Sequence, residues 1–77
     1  MTKDNGFEQA EILVGEEDAG TRIDVFLPAR LEGLSRAIIR REIEEKRLLV
    51  NGRPVRKSYP VQAGDRIPLA WYHALRQ

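Results

Sequence analysis

The 77-residue sequence contains no cysteine and a single histidine, His73. Disulfide staples and thiolate metal sites are therefore excluded, and one imidazole cannot hold a metal ion alone. No apolar run approaches the roughly 20 residues that a membrane-spanning helix needs. The opening Met1 to Asn5 has no hydrophobic region following a basic one, so nothing points to export. A cytoplasmic protein is the expectation, with no membrane, metal or cofactor. The chain also lacks internal repeats, low-complexity linkers, a glycine-rich phosphate loop, a Ser/His/Asp arrangement and a paired-carboxylate site. Its length allows one domain, whose small core leaves little room for a deep active site.

What is present is an uneven charge distribution. The net charge of +1 averages an acidic start with a basic remainder. Residues 1–21 hold six acids against Lys3, whereas residues 22–77 hold twelve bases against six acids. Between Arg36 and Lys57 there are eight bases and three acids. Such asymmetry suits a polyanionic partner, although a run of charge also serves as an ordinary solvated face.

Residues 1–8 read as a polar, mobile tail. Ala10, Ile12 and Val14 alternate as one face of a short strand, and Gly15 to Gly20 form an acidic turn. Thr21, with Asp24 three residues on, resembles a capping box and predicts a first helix from Arg22, carrying Ile23, Phe26, Leu27 and Leu31 at helical spacing. Pro28 should end or kink that helix near Leu27, because an interior proline removes a hydrogen bond and clashes with the preceding turn.

The informative stretch runs from Ser35 to Gly52. Ser35 is a good N-cap for a helix starting at Arg36. Ile39 and Ile43 share its inner face, with Arg36, Arg40 and, if the helix lasts that long, Arg47 on an adjacent stripe. Leu48 to Val50 then lead into Asn51-Gly52, the pair that most readily adopts the positive φ of a two-residue hairpin turn. Pro54 and Val55 begin a return strand, where Pro54 requires an edge or strand start. After an Ala63-Gly64-Asp65 turn, Ile67, Leu69 and Trp71 alternate as a last strand. The order predicts an α+β domain, two helices packed on a small antiparallel sheet.

Arg22-Ile23-Asp24, Leu27, Ser35-Arg36, Ile39, Arg40, Ile43, Val50-Asn51-Gly52, Val55 and Gly64-Asp65 together resemble the S-four RNA-binding domain, which contains the alpha-L motif. The resemblance spans about residues 20–70. Its finer flavour is similar to the amino-terminal domain of large-family RNA pseudouridine synthases, in which a strand like Ala10 to Val14 and an acidic turn precede the Arg-Ile-Asp motif. It implies that residues 9–72 are the RNA-binding domain and that residues 73–77 are a tail or the start of a linker to a catalytic domain. Met1 then suggests a natural start, with any longer chain continuing past Gln77. Three positions depart from the family pattern: Lys46 stands where glycine is frequent, Glu42 where an apolar residue is common, and Pro28 interrupts the first helix.

The resemblance implies an RNA surface built from Arg22, Ser35, Arg36, Arg40, Arg41, Lys46, Arg47, Asn51, Arg53 and Lys57. Each has a plainer reading. Ser35-Arg36 is either a simple cap or a phosphate site. Arg40 and Arg41 have Glu44 and Glu45 at ion-pairing distance along a helix, a reading that weighs most for Arg41 and Glu45. Arg22 opposes the dipole at a helix start, which suggests a use or an ion pair with Asp24. Lys46, Arg47, Arg53, Arg56 and Lys57 decorate the helix end and hairpin, about half of them as solvated charges. Asn51 is a turn former first and an RNA contact second. Trp71 and Tyr72 read as core ahead of base-stacking. Arg22-Ile23-Asp24 superficially copies the catalytic Arg-Leu-Asp motif of the synthases, but the following Val25-Phe26-Leu27 does not, so Asp24 reads as a helix-cap residue. The expectation is a monomeric domain recognising structured, ribosomal RNA, the targeting part of a pseudouridine synthase (an isomerase) whose catalytic site lies outside these residues. A stand-alone ribosome-associated protein of the same fold is the alternative, and a protein-interaction module with a basic face is a third.

Overall fold

The structure, a computed structural model, describes residues 10–75. The expected tail at residues 1–8 lies outside that range. Strand β1 (Glu11–Leu13) pairs antiparallel with β4 (Arg66–Pro68), Ile12 opposite Ile67. Ile12 and Val14 are buried as expected, whereas Ala10, just before the strand, is exposed. Glu16–Asp18 form a single 3-10 turn within the acidic connection.

Helix α1 (Ile23–Arg30) starts one residue later than the capping-box reading predicts, and the box does not form. The cause is tertiary. Val61 donates to the Thr21 carbonyl at 2.9 Å, Arg22 bridges Pro60, and the Ile23 amide donates to the Tyr59 carbonyl at 2.8 Å. These contacts hold the backbone extended through Arg22, which becomes the N-cap and leaves Asp24 at the second helical position, out of register for a box. Pro28 does not end the helix near Leu27; the helix runs on to Arg30, and Leu31 donates to Leu27 at 2.9 Å. One lost backbone bond near the end of a short helix is offset by burial of Ile23, Phe26 and Leu27.

Helix α2 (Arg36–Glu44) is capped as its sequence predicts, the Ser35 hydroxyl accepting from the Ile38 amide at 3.2 Å. Its far end turns on Lys46, whose φ of 63° is the left-handed conformation usually left to glycine. The Lys46 amide donates to Ile43 and the Arg47 amide to Glu42, both at 3.0 Å, the two bonds that close a Schellman motif. Arg47 therefore lies beyond the helix. Strands β2 (Leu49–Val50) and β3 (Arg53–Pro54) pair with Val50 opposite Arg53. Asn51 (φ 54°) and Gly52 (φ 80°) make the two-residue turn between them.

The alternation of Ile67, Leu69 and Trp71 does not continue a strand. β4 ends at Pro68, and α3 (Ala70–Leu75) follows, a third helix where two were expected. All three apolar residues are nonetheless buried, because a strand end and the first turn of a helix can both point inward. The Trp71 indole donates to the Pro68 carbonyl at 2.7 Å, and the Tyr72 hydroxyl to the Glu32 carbonyl at 2.9 Å, which pins α3 to the connection between α1 and α2. Trp71 and Tyr72 are core, as read from sequence. His73 to Leu75, expected in a tail or linker, extend α3. The architecture is α+β, with helices against two small antiparallel sheets and a core that draws on every long element.

Candidate nucleic-acid interface

The starts of α1 and α2 carry the first cluster. Arg22 grips Asp24 with two bonds, Nε to Oδ1 at 3.1 Å and Nη2 to Oδ2 at 2.9 Å. Arg36, the first residue of α2, brings its guanidinium to 3.7 Å from the same Oδ2. The Asp24 carboxylate is buried, whereas both arginines are about half exposed, with side-chain exposures of 48% and 61%. One inward carboxylate thus orients two outward guanidinium groups beside the Ser35 cap. The Arg22 hydrogen bonds, with the charges of both arginines, hold the Asp24 carboxyl below the usual range against the effect of burial.

Arg40 lies one turn along α2 from Arg36 and shares its face. Arg40, Lys46, Arg53, Arg56 and Lys57 are exposed and form no ion pair among the described residues.

A second cluster forms at the other end of α2. Arg47 reaches Glu42 through Nε and Nη2 at 2.8 and 3.0 Å, and Glu45 through Nη1 at 2.6 Å. Arg41 stands 4.0 Å from Glu42 and is not paired with Glu45, which Arg47 occupies. Glu42, the unusual acid on the inner face, is buried, and the Arg47 hydrogen bond lowers its carboxyl below the usual range. The candidate cations are consequently unequal. Arg47 is matched by two acids, Arg22 and Arg36 share one, and Arg40 with the hairpin cations has none among the described residues.

The Asn51 side chain is committed within the fold. Its amide donates to Asp65 Oδ1 at 2.9 Å, and its carbonyl accepts from the Arg66 amide at 2.9 Å. Asp65 also accepts from the Tyr59 hydroxyl at 2.5 Å and the Gln62 amide at 2.9 Å. Burial pushes the Asp65 carboxyl up, but these three donors outweigh it and its pKa is lowered, while that of Tyr59 is pushed up to about 12 by the bond to Asp65. In the sequence Gly64-Asp65 stands out as a turn and as part of the S-four pattern, with no role for the Asp65 carboxylate, and Tyr59 does not stand out at all. Their link to Asn51 spans 14 residues and leaves no local signal.

Among the described residues no group of His, Cys, Asp or Glu is placed to hold a metal, and no helix is long and apolar enough to cross a membrane. The S4 domain family matches residues 21–67, from the edge of α1 into β4, which takes in both arginine clusters and the Asp65 network. The chain belongs to the S4 domain family. RNA binding is what that membership implies. The S4 domain here is similar to the amino-terminal region of RNA pseudouridine synthases. It is 42% identical over 50 residues to an uncharacterized RNA pseudouridine synthase of Chlorobaculum parvum, covering 65% of this chain and 15% of that protein. It is 32% identical over 59 residues to the uncharacterized RNA pseudouridine synthase YlyB of Bacillus subtilis, covering 77% and 20%. Against ribosomal large subunit pseudouridine synthase C of Salmonella typhimurium it is 30% identical over 56 residues, covering 73% and 18%. The matched segment spans a fifth or less of each of these relatives. No solved structure matches the chain significantly.

Proposed function

We propose that this S4 domain binds structured RNA, ribosomal RNA in particular, as the RNA-targeting part of a pseudouridine synthase. The observation that carries the reading is the pair of guanidinium groups, Arg22 and Arg36, brought from two helices onto the buried Asp24, with Arg40, which has no ion pair among the described residues, one turn further on. Guanidinium groups held by a buried acid keep a fixed spacing while their outer N–H groups remain open to phosphate oxygens. Few base-reading groups accompany them, which supports recognition by shape and phosphate geometry. The residues described here bind RNA and do not isomerise it: Asp24, the acid in the Arg-Ile-Asp sequence, is buried and held by two arginines. Likeness to ribosomal large subunit pseudouridine synthase C supports ribosomal RNA as the target.

The test is binding to a structured ribosomal RNA fragment across a salt series. Affinity should fall steeply with salt, and replacing Arg36 and Arg40 together by alanine should flatten the log–log slope by about 2, one unit per lost phosphate contact. A double variant that matches the wild type at every salt concentration overturns the proposal.

A further inference from the structure

From Lys46 to Gly64 the chain carries five bases and no acid. Within this stretch the β2–β3 hairpin and the segment after it enclose a shallow concavity lined by Val50, Asn51, Arg53, Pro54, Val55 and Tyr59. Its two sides are tied to one buried carboxylate: Asn51 donates to one oxygen of Asp65, and Tyr59 donates to the other. The hollow is therefore held open before any ligand arrives, which lowers the ordering cost of filling it.

Its chemistry is mixed in a specific way. Val55 and the half-buried Tyr59 pack against the core and offer apolar and aromatic surface, and Pro54 adds to it. Arg53 is exposed with no acid paired to it among the described residues, and Arg56 and Lys57 follow on the same connection. The Asn51 amide and the Tyr59 hydroxyl are already bonded within the protein, so the site has little means of reading a base edge. A flat ring against Tyr59 and a phosphate on Arg53 would satisfy what remains, a combination that tolerates any base.

We propose that this concavity is a subsite for one unstacked nucleotide of the bound RNA, its base against Tyr59, Pro54 and Val55 and its phosphate on Arg53. The proposal rests on the RNA-binding reading and adds to it a preference for structured RNA that carries an unpaired nucleotide beside the phosphates bound by the α2 arginines. Tyr59 and Arg53 make the contact; Asn51 and Asp65 position the walls.

The experiment compares two hairpin RNAs, one fully paired and one carrying a single unpaired adenosine, by fluorescence anisotropy. The wild type should prefer the RNA with the unpaired base by roughly tenfold, the scale of one base–aromatic stack with its phosphate contact. Arg53→Ala, at an exposed position, and Tyr59→Leu should each bring the two affinities within about twofold of each other, whereas Arg40→Ala should weaken both RNAs alike and keep the preference. Should Tyr59→Leu fail to fold, as judged by its thermal melt, Arg53→Ala decides. Equal affinity of the wild type for the two RNAs, or an unchanged preference in Arg53→Ala, overturns the subsite and leaves RNA binding standing. Absence of salt-dependent binding to either RNA overturns both readings.

Discussion

Arg47 and Glu42 close on each other twice: the guanidinium Nε meets the Glu42 carboxylate at 2.8 Å, and the Arg47 amide meets the Glu42 carbonyl at 3.0 Å. The turn that sends the chain from α2 into the hairpin is locked by side chain and backbone together. A cation that the basic stripe enrols for RNA thus contributes to the fold, and Glu45 neutralises it further.

The two arginines on either side of this distinction should separate in experiment. Among the described residues Arg47→Ala leaves the buried Glu42 carboxylate with only the distant Arg41, so its melting temperature should drop by several degrees with little change in the salt slope of RNA binding. Arg40→Ala should do the reverse, keeping stability within about 0.5 kcal/mol of wild type while lowering the slope by about 1. Thermal melts and salt titrations on the two proteins check this.

Lys46 sits in a conformation that disfavours any side chain with a Cβ. Lys46→Gly should raise stability by about 0.5–1 kcal/mol, read as a higher urea midpoint with an unchanged m-value. The same change removes an exposed cation, so RNA affinity should fall as stability rises. Movement of both in one direction would mean that the lysine has another role in the turn.

Stability should fall at both ends of the pH scale, for opposite reasons. Asp24, Glu42 and Asp65 have carboxyls lowered from reference values of 3.8, 4.5 and 3.8, so the unfolded chain takes up protons first. Their contribution is full above about pH 5 and is lost as pH falls through the folded-state values. Tyr59 is raised from 10.0 to about 12, so its contribution is full below pH 10 and is lost as pH rises through about 12. Tyr59→Phe should cost about 1–2 kcal/mol at neutral pH and remove the Tyr59 share of the alkaline loss. Urea unfolding repeated across pH measures both limbs.

Much of the architecture was legible because the physics involved is short-range. Ser35 caps α2 through an amide three residues away, and Asn51-Gly52 turns the hairpin because both residues accept positive φ. The inner positions Ile39 and Ile43 follow from a helix's own period. Errors collected where a distant segment intervenes. The backbone of residues 59–61 shifts the start of α1 by one residue, and the docking of Tyr72 on Glu32 accompanies a helix where alternation implied a strand.

The candidate interface divides in the same way. Composition and spacing were enough to place the cations on α2 and the hairpin, since the number of bases and their helical face depend on the chain alone. Which of those cations remain open to a partner was settled only on folding. Charge pairing is a through-space matter, and it took the packed molecule to bring Arg22 and Arg36 onto Asp24, to close Arg47 on Glu42, and to leave Arg40 and Arg53 without an acid among the described residues.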